Sequence, residues 1–286
     1  MSVPVINKTN GLFARDSKNE IITLLDNETL QLLDSPNKII TVKTDGTCGL
    51  LVKMVVNETS VYTLMRRQDI KVGSKNFDKV NKNLTLTSVA GRKCIISSIT
   101  RGGGKNTLDV PFYIFQLTND DKPEIEVNHL IGFTPITNKC GDDKHLLSCL
   151  HGENMSTDLK IYCSVSTTNF DVDVRLTSAE QILKDSDLIT VEIMGAKISN
   201  KYGFDNDRHF INPHGSIECN KHSGPPLHDY DLLKAWFQSE NRWADVEGYV
   251  VHFPDVGKRL KVHRGHVGLE KSWRDKKSSG LVFNFV

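Results

Sequence analysis

The chain has 286 residues, of which 38% are hydrophobic and 25% charged, and its formal net charge is +1. This composition is typical of globular proteins and excludes collagen-like and highly charged disordered chains. No apolar run approaches the roughly 20 residues that cross a bilayer, and the first ten residues lack the apolar region of a secretory signal. We therefore expect an intracellular, cytoplasmic protein that is not secreted and has no membrane partner.

The predicted elements are mostly strands, because β-branched and aromatic residues cluster between turn residues. Two helices are predicted, one at 177–184 that opens with a capping box, and one at 229–240 with an apolar stripe of Leu232, Leu233, Trp236 and Phe237. The strands are predicted at 39–42, 50–55, 61–65, 84–89, 93–99, 112–117, 159–164, 170–176, 188–194, 248–253 and 259–263. Regular βαβ alternation is missing, so we predict an α+β protein with antiparallel sheets and helices packed outside them.

The spacing of the cysteines indicates their redox state. The six cysteines lie far apart without a Cys-x-x-Cys pair, which predicts reduced and mostly buried thiols.

Basic residues are concentrated in two segments. Residues 66–82 contain six basic and two acidic residues, and residues 258–277 contain eight basic and two acidic residues. This distribution favours a polyanion bound across one face, and two solvated charged faces are the alternative.

The segment Lys43-Thr44-Asp45-Gly46 follows a β-prone run at 38–42. A lysine at this place would lie where a strand opens into a glycine-containing turn, exposed and able to react. Asp-Gly is also a common hairpin turn, so an ordinary turn with a surface lysine is the alternative for this segment considered alone.

Carboxylates and cations recur downstream of Lys43. Glu192 lies inside an apolar strand, and because an unpaired buried carboxylate costs several kcal/mol, we expect it to have a partner. Glu247 opens another strand. The strand at 258–264 has alternating basic residues, so Arg259, Lys261 and His263 should share one face.

In this order, with Arg66 and Arg67 at the end of a strand, these segments resemble the signature of the covalent nucleotidyltransferases. A closer resemblance is to the vertebrate-type ATP-dependent 5′-3′ RNA ligase family, and it rests on residues 42–48, 193–195, 202–203, 213–215, 246–252 and 261–269. The resemblance implies a nucleotidyltransferase (ligase adenylation) fold. It also implies a single adenylyltransferase domain over 1–286, with a divergent, partly basic segment at 68–150. Because only 22 residues follow Arg264, we expect no C-terminal OB-fold domain.

The resemblance also implies a reaction with ATP and RNA. Lys43 would attack the α-phosphate of ATP to form lysyl-AMP, AMP would pass to an RNA 5′-phosphate, and a 3′-hydroxyl would displace it. Only a neutral amine attacks, and lowering a lysine pKa from about 10.4 to about 7 takes roughly 4–5 kcal/mol. We expect burial, Lys261, Arg67 and a metal ion to lower it.

The remaining roles follow from the same resemblance. Glu192 would accept hydrogen bonds from the ribose hydroxyls, and Glu247, together with Glu192, would hold Mg²⁺ or Mn²⁺. Lys261 would contact the α-phosphate, and Arg67 the nucleotide or the RNA 5′-phosphate. The catalytic residues would thus be Lys43, Glu247 and Lys261, and the nucleotide would be bound by these with Arg67, Glu192 and His263.

Several points stay open at the level of sequence. His263 stands where many ligases have a second lysine, and it is either a phosphate donor or a packed residue. Arg67 fits the family register better than Arg66, and a structural role is favoured for His214. The alternative functions are a capping-type guanylyltransferase that uses GTP and a non-catalytic RNA-binding protein with a ligase-like fold. We expect a monomer whose partner is RNA with 5′-phosphate and 3′-hydroxyl ends.

Overall fold

The computed structural model describes residues 9–18, 20–102, 107–168, 170–198, 208–219, 224–269 and 280–286, with the backbone alone at 166–168. The motif at 202–203 and all the basic residues at 271–277 therefore lie outside the described residues. The glycine-rich sequence at 101–105 is typical of a hairpin tip. The strands on either side of it pair in antiparallel fashion, but residues 103–106 themselves lie outside the described part.

The chain forms four short α-helices and seventeen strands within the described ranges. The helices are α1 (Asn27–Leu33), α2 (Lys75–Lys82), α3 (Ala179–Ile182) and α4 (Tyr230–Gln238). The strands are β1 (Asn10–Gly11), β2 (Ile39–Lys43), β3 (Thr47–Val56), β4 (Thr59–Lys71), β5 (Thr85–Val89), β6 (Arg92–Arg101), β7 (Leu108–Ile114), β8 (Ile125–Glu126), β9 (His129–Pro135), β10 (Leu150–His151), β11 (Lys160–Thr168), β12 (Asp171–Ser178), β13 (Leu188–Gly195), β14 (His209–Pro213), β15 (Gly248–Phe253), β16 (Lys258–His263) and β17 (Val282–Phe285).

The strands build two sheets. The smaller sheet has the order β1-β16-β15-β2, and the larger one has the order β17-β12-β11-β14-β13-β3-β4-β9-β7-β6-β5, with β10 on β11 and β8 on β9. Most neighbours are antiparallel, and the parallel pairs are β1 with β16, β12 with β17 and β11 with β14. The prediction of an α+β protein built mainly from antiparallel sheets is confirmed.

The two predicted helices exist but are shorter than expected. The capping residue of α3 is Ser178, whose side chain accepts a hydrogen bond from the Gln181 backbone N–H, so the predicted start at 177 is wrong by one residue. Residue 177 instead continues β12, where it pairs with Ile161. In α4, Leu233 and Phe237 are buried, but Leu232 is 59% exposed and was wrongly included in the stripe. Leu232 lies one residue before Leu233, which turns it about 100° away from the core.

Helices α1 and α2 were not predicted, because each is short and mainly polar. Each begins at a capping side chain: Asp26 accepts from the Thr29 N–H, and Ser74 accepts from the Phe77 N–H. A single buried residue in α2, Val80, anchors it to the larger sheet. None of the helices in the described part of the chain is long and apolar enough to span a membrane.

The segment at 68–150 extends the larger sheet by strands β5 to β9. A buried ion-pair cluster ties this extension to β4. Asp143, which has no solvent exposure, accepts two hydrogen bonds from Arg101 at 2.6 and 2.9 Å and a third from Arg66 at 3.3 Å. The backbone N–H of Thr137 also donates to Asp143, at 3.0 Å. Because Asp143 bonds to both arginines and to the Thr137 N–H, it holds together β4, β6 and the loop after β9.

Candidate active site

The Lys43-Thr44-Asp45-Gly46 segment is the crossover between the two sheets. Lys43 is the last residue of β2 in the smaller sheet, and β3 of the larger sheet begins at Thr47. Strands β2 and β3 do not pair with each other, since β2 pairs with β15 while β3 pairs with β4 and β13. The alternative of a hairpin turn is therefore wrong, and Lys43 lies at the seam between the sheets.

Gly46 brings this crossover against the larger sheet. A Cβ atom at this position would lie 2.4 Å from the Ile193 carbonyl oxygen and 2.9 Å from Glu192 Cγ. Only glycine leaves room for such an approach. The glycine thus lets the segment that carries Lys43 pack directly on the side chain of Glu192.

The smaller sheet supplies a carboxylate and a second cation. Glu247 immediately precedes β15, whose first residue, Gly248, lies opposite Lys43. The Lys43 Nζ donates to Glu247 Oε2 at 2.6 Å. On the next strand, Lys261 lies opposite Val250, and both line the cavity beside Lys43.

The electrostatics of Lys43 differ from the prediction. Burial alone would lower the pKa of the Lys43 amine, but Glu247, Glu192 and Asp45 together raise this pKa above its usual value of 10.5. Burial also raises the pKa of the Glu247 carboxyl, and the Lys43 ammonium opposes that shift. The expectation of a lowered lysine pKa is wrong for the protein without ligands, because three carboxylates lie near the amine.

The larger sheet supplies Glu192. It lies on β13 opposite Asn212 of β14, and its side chain is 13% exposed. His214 Nε2 donates to Glu192 Oε2 at 3.0 Å. The prediction that the buried glutamate has a partner is confirmed, and the partner is a residue for which sequence favoured a structural role.

Adjacent arginines on β4 face different surroundings. Arg67 lines the cavity beside Lys43 and donates to Asp69 at 2.8 Å. Arg66 points instead to the buried Asp143. Successive residues of a strand point to opposite faces, so only one of the two can reach the cavity. Arg67, which the family register favoured over Arg66, is thus the arginine at the cavity.

The cavity at the seam has a volume of about 290 Å³. Of the predicted site residues, Lys43, Arg67, Glu192 and Lys261 line it. The other lining residues are Thr9, Thr41, Val42, Thr44, Gly46, Cys48, Asn212, His214, Gly215, Val250 and His252. Glu247 reaches the site through its ion pair with Lys43 and is not part of the lining.

His263 is partly buried, does not line the cavity and is neutral. Its Nδ1 accepts a hydrogen bond from the Gly265 N–H at 3.1 Å, and its ring lies 3.8 Å from the ring of His266. Burial, with the nearby His266, Lys43 and Lys261, lowers the pKa of His263 to about 3. Because Nδ1 accepts, the ring proton is on Nε2. The residue is thus packed, with a single neutral donor left.

Sequence reasoning missed several lining residues. Thr41 precedes Lys43 by two positions and therefore shares its face, a signal that strand periodicity offers. Its hydroxyl lies 2.9 Å from Nε2 of His252, whose pKa burial lowers to about 4. Asn212 donates to the Thr44 hydroxyl at 3.4 Å, but β14 was not predicted, so no sequence signal placed it here.

Cys48 also lines the cavity. Burial raises the pKa of its thiol to about 12, and the field of Glu192 adds to this shift. The thiol is therefore protonated and unreactive at neutral pH. All six cysteines are free, and five are buried, as predicted.

Among the described residues, no three His, Cys, Asp or Glu side chains converge as a metal cluster. Mg²⁺ does not need one, since it commonly takes one or two carboxylates and completes its shell with water and substrate phosphates. Glu192 and Glu247 fit that donor set, because Glu192 lines the cavity and Glu247 Oε2 lies 2.6 Å from the amine of Lys43, which lines it too.

Comparison with known proteins places the chain in a family. A comparison with curated protein sequences gives no match. The family model for RNA ligase 1 matches residues 15–280, which include Lys43, Glu192, Glu247 and Lys261. Since the match covers most of the 286 residues, the chain belongs to the RNA ligase 1 family.

Proposed function

We propose that the protein is an ATP-dependent RNA ligase of the vertebrate type, with a nucleotidyltransferase fold, that joins RNA 5′-phosphate and 3′-hydroxyl ends through lysyl-AMP. One observation carries the proposal. Lys43 lies at the seam of two sheets, in a cavity whose lining includes two further cations, Arg67 and Lys261, and the carboxylate of Glu192. Such a cavity suits a nucleotide, whose phosphates need cations and whose sugar hydroxyls need acceptors.

In the first step, the Lys43 ammonium gives up one proton to become the nucleophilic amine. Nζ then bonds to the α-phosphorus of ATP and releases a second proton, while the bond to the pyrophosphate oxygen breaks and pyrophosphate leaves. Glu247 Oε2 is an acceptor 2.6 Å from Nζ. A Mg²⁺ or Mn²⁺ ion bound by Glu247 and Glu192 would screen the carboxylates that now hold Lys43 protonated. The protein's own contribution is to keep the amine partly buried, so that this burial lowers the pKa of Lys43 once the carboxylates are screened.

The cations of the cavity would stabilise the charge that develops on phosphorus. Lys261 and Arg67 line the cavity from different sheets, so the α-phosphate would lie between them. The neutral Nε2–H of His263 is a candidate for a weaker phosphate contact. Preorganised donors of this kind commonly contribute about 10²–10³-fold to a rate.

Two further transfers would complete ligation. An oxygen of the RNA 5′-phosphate attacks the AMP phosphorus, and the bond from phosphorus to Lys43 Nζ breaks as the nitrogen regains a proton. The RNA 3′-hydroxyl then loses its proton, attacks the 5′-phosphorus and releases AMP. Both transfers occur at phosphates, so they can use the same cations.

The test is covalent labelling with α-³²P nucleotides. We expect wild-type protein to retain label from ATP and not from GTP, and to lose it when 5′-phosphorylated RNA is added. Label from GTP alone would favour a capping-type guanylyltransferase, and no label from either would favour a non-catalytic RNA-binding protein.

Lys43→Ala should abolish labelling, because Lys43 Nζ is the atom that bonds to AMP in the proposed reaction. Lys53→Ala is the matched control, since Lys53 is a partly exposed lysine on β3 that does not line the cavity. Its labelling should equal that of the wild type. Undiminished label in Lys43→Ala would refute the assignment of the nucleophile.

A further inference from the structure

We propose that His214 is a positioning residue that holds the Glu192 carboxylate toward the nucleotide sugar and so sets the preference for ribose over deoxyribose. The inference rests on the proposed function and adds to it a residue and a specificity. It starts from the hydrogen bond between His214 Nε2 and Glu192 Oε2, which is 3.0 Å long.

The backbone fixes where His214 lies. Residues 213–216 form a turn in which the Ser216 N–H donates to the Pro213 carbonyl at 3.2 Å, and Gly215 in the third position has φ of +81°. A positive φ at this position is what a type II turn requires. The N–H of His214 donates to the Thr190 carbonyl on β13 at 3.0 Å, so the turn is fastened to the strand that bears Glu192.

The orientation of the imidazole is set by Glu192. An ionised carboxylate only accepts, so Nε2 carries the proton in this bond. Nδ1 is buried and has no hydrogen-bond partner among the residues that the structure describes. The hydrogen bond from Nε2 to Glu192 therefore orients the imidazole ring of His214.

The Glu192 side chain is held at two places. The Gly46 backbone packs close to its Cγ, since a Cβ added at that glycine would lie 2.9 Å from this atom, and His214 bonds to its carboxylate. The bond to Oε2 leaves Oε1 for a ligand, and both Glu192 and His214 line the cavity. A carboxylate fixed in this way accepts from a sugar hydroxyl without the entropy cost of being ordered on binding.

The test measures the preference for ATP over 2′-deoxyATP and 3′-deoxyATP, as ratios of kcat/KM for formation of the covalent adduct. In His214→Leu we expect the larger of the two ratios to fall about tenfold or more, because the analogue loses little while ATP loses an oriented acceptor. His214→Gln, whose side-chain amide can donate from near the Nε2 position, should restore much of the ratio. His228→Leu is the matched control, because His228 pairs with Asp34 at 3.1 Å away from the cavity lining.

A purely structural role for His214 would slow all three nucleotides equally, and an unchanged ratio in His214→Leu would overturn the proposal. Wild-type protein that does not distinguish ATP from either analogue would overturn it too, while leaving the ligase function intact. If the wild type forms no adduct, the same ratio is measured from binding affinities by calorimetry. A protein that binds none of the three nucleotides would overturn both proposals.

Discussion

Gly46 makes the contact that joins the lysine segment to Glu192, and its replacement tests whether that contact matters. In Gly46→Ala the new methyl group would meet the Ile193 carbonyl at 2.4 Å and Glu192 Cγ at 2.9 Å, so one of the two must move. Displacements of about 1 Å can cost about 10²-fold in rate. We therefore expect adduct formation with ATP to fall by about that factor, as measured by single-turnover labelling.

Gly141→Ala is the control for this substitution, because a Cβ at Gly141 would meet nothing within 4 Å. It should leave the labelling rate near that of the wild type. Circular dichroism of both variants would separate local displacement from unfolding. A folded Gly46→Ala protein that is labelled at the wild-type rate would show that the close approach to Glu192 is unimportant.

The raised pKa of Lys43 predicts how its reactivity depends on pH. Burial lowers this pKa, but Glu247 and its neighbouring carboxylates raise it above 10.5, so without nucleotide and metal the amine is almost wholly protonated at neutral pH. Modification of Lys43 by an acylating reagent should therefore keep rising with pH beyond 10.5. In Glu247→Gln, the loss of the strongest attraction should shift this profile to lower pH.

The profile would be read by mass spectrometry of the peptide that contains Lys43, with Lys53 in the same digest as the internal reference. Lys53 should respond identically in the wild type and in Glu247→Gln. A profile for Lys43 that is unmoved by Glu247→Gln would mean that the ion pair does not control the amine.

At the level of elements, the extension at 68–150 depends on the buried Asp143. Removing its carboxylate leaves Arg101, which is 6% exposed, and Arg66 without the charge that compensates them. Breaking a buried pair from one side typically costs about 3–5 kcal/mol. We expect Asp143→Ala to lower the free energy of unfolding by roughly that amount in urea titrations.

Asp109→Ala is the comparison, since Asp109 pairs with Lys79 at the surface and is 63% exposed. Its unfolding midpoint should stay close to that of the wild type, because exposed pairs contribute little. Equal midpoints for both variants would contradict the view that the Asp143 cluster anchors the extension to β4.

The sequence predicts a strand or helix correctly where neighbouring residues determine its conformation. It fails where pairing with a distant strand determines it. Strand β4 was expected at 61–65 but runs to Lys71, because residues 66–71 pair with β9, which lies about sixty residues further along the chain. Strand β14 was missed for the same reason, since its five residues gain their conformation from β13. The residue types of the candidate site could be recognised in the sequence. The direction of the pKa shift of Lys43 could not be predicted, because it depends on which charges lie nearest to the amine in space.

At the scale of the whole molecule, the site is divided between the sheets. Lys43 and Lys261 come from the smaller sheet, and Arg67 and Glu192 from the larger one. A nucleotide that contacts all four must therefore bridge the sheets, which the crossover at 44–46 joins covalently beside the cavity. Binding should then stabilise both sheets together rather than one alone.

Hydrogen exchange tests this bridging. With Lys43→Ala, which keeps the complex non-covalent, ATP and Mg²⁺ at about 100 times the dissociation constant would stabilise the folded state by about 2.7 kcal/mol. Slower exchange is expected in β2 and β16 as well as in β13 and β4, because the ligand holds both walls of the cavity. Strand β5, at the far edge of the larger sheet, serves as the internal control and should change least. Protection confined to a single sheet would mean that the nucleotide binds one wall only, and the seam would then not be the place where the phosphates meet Lys43.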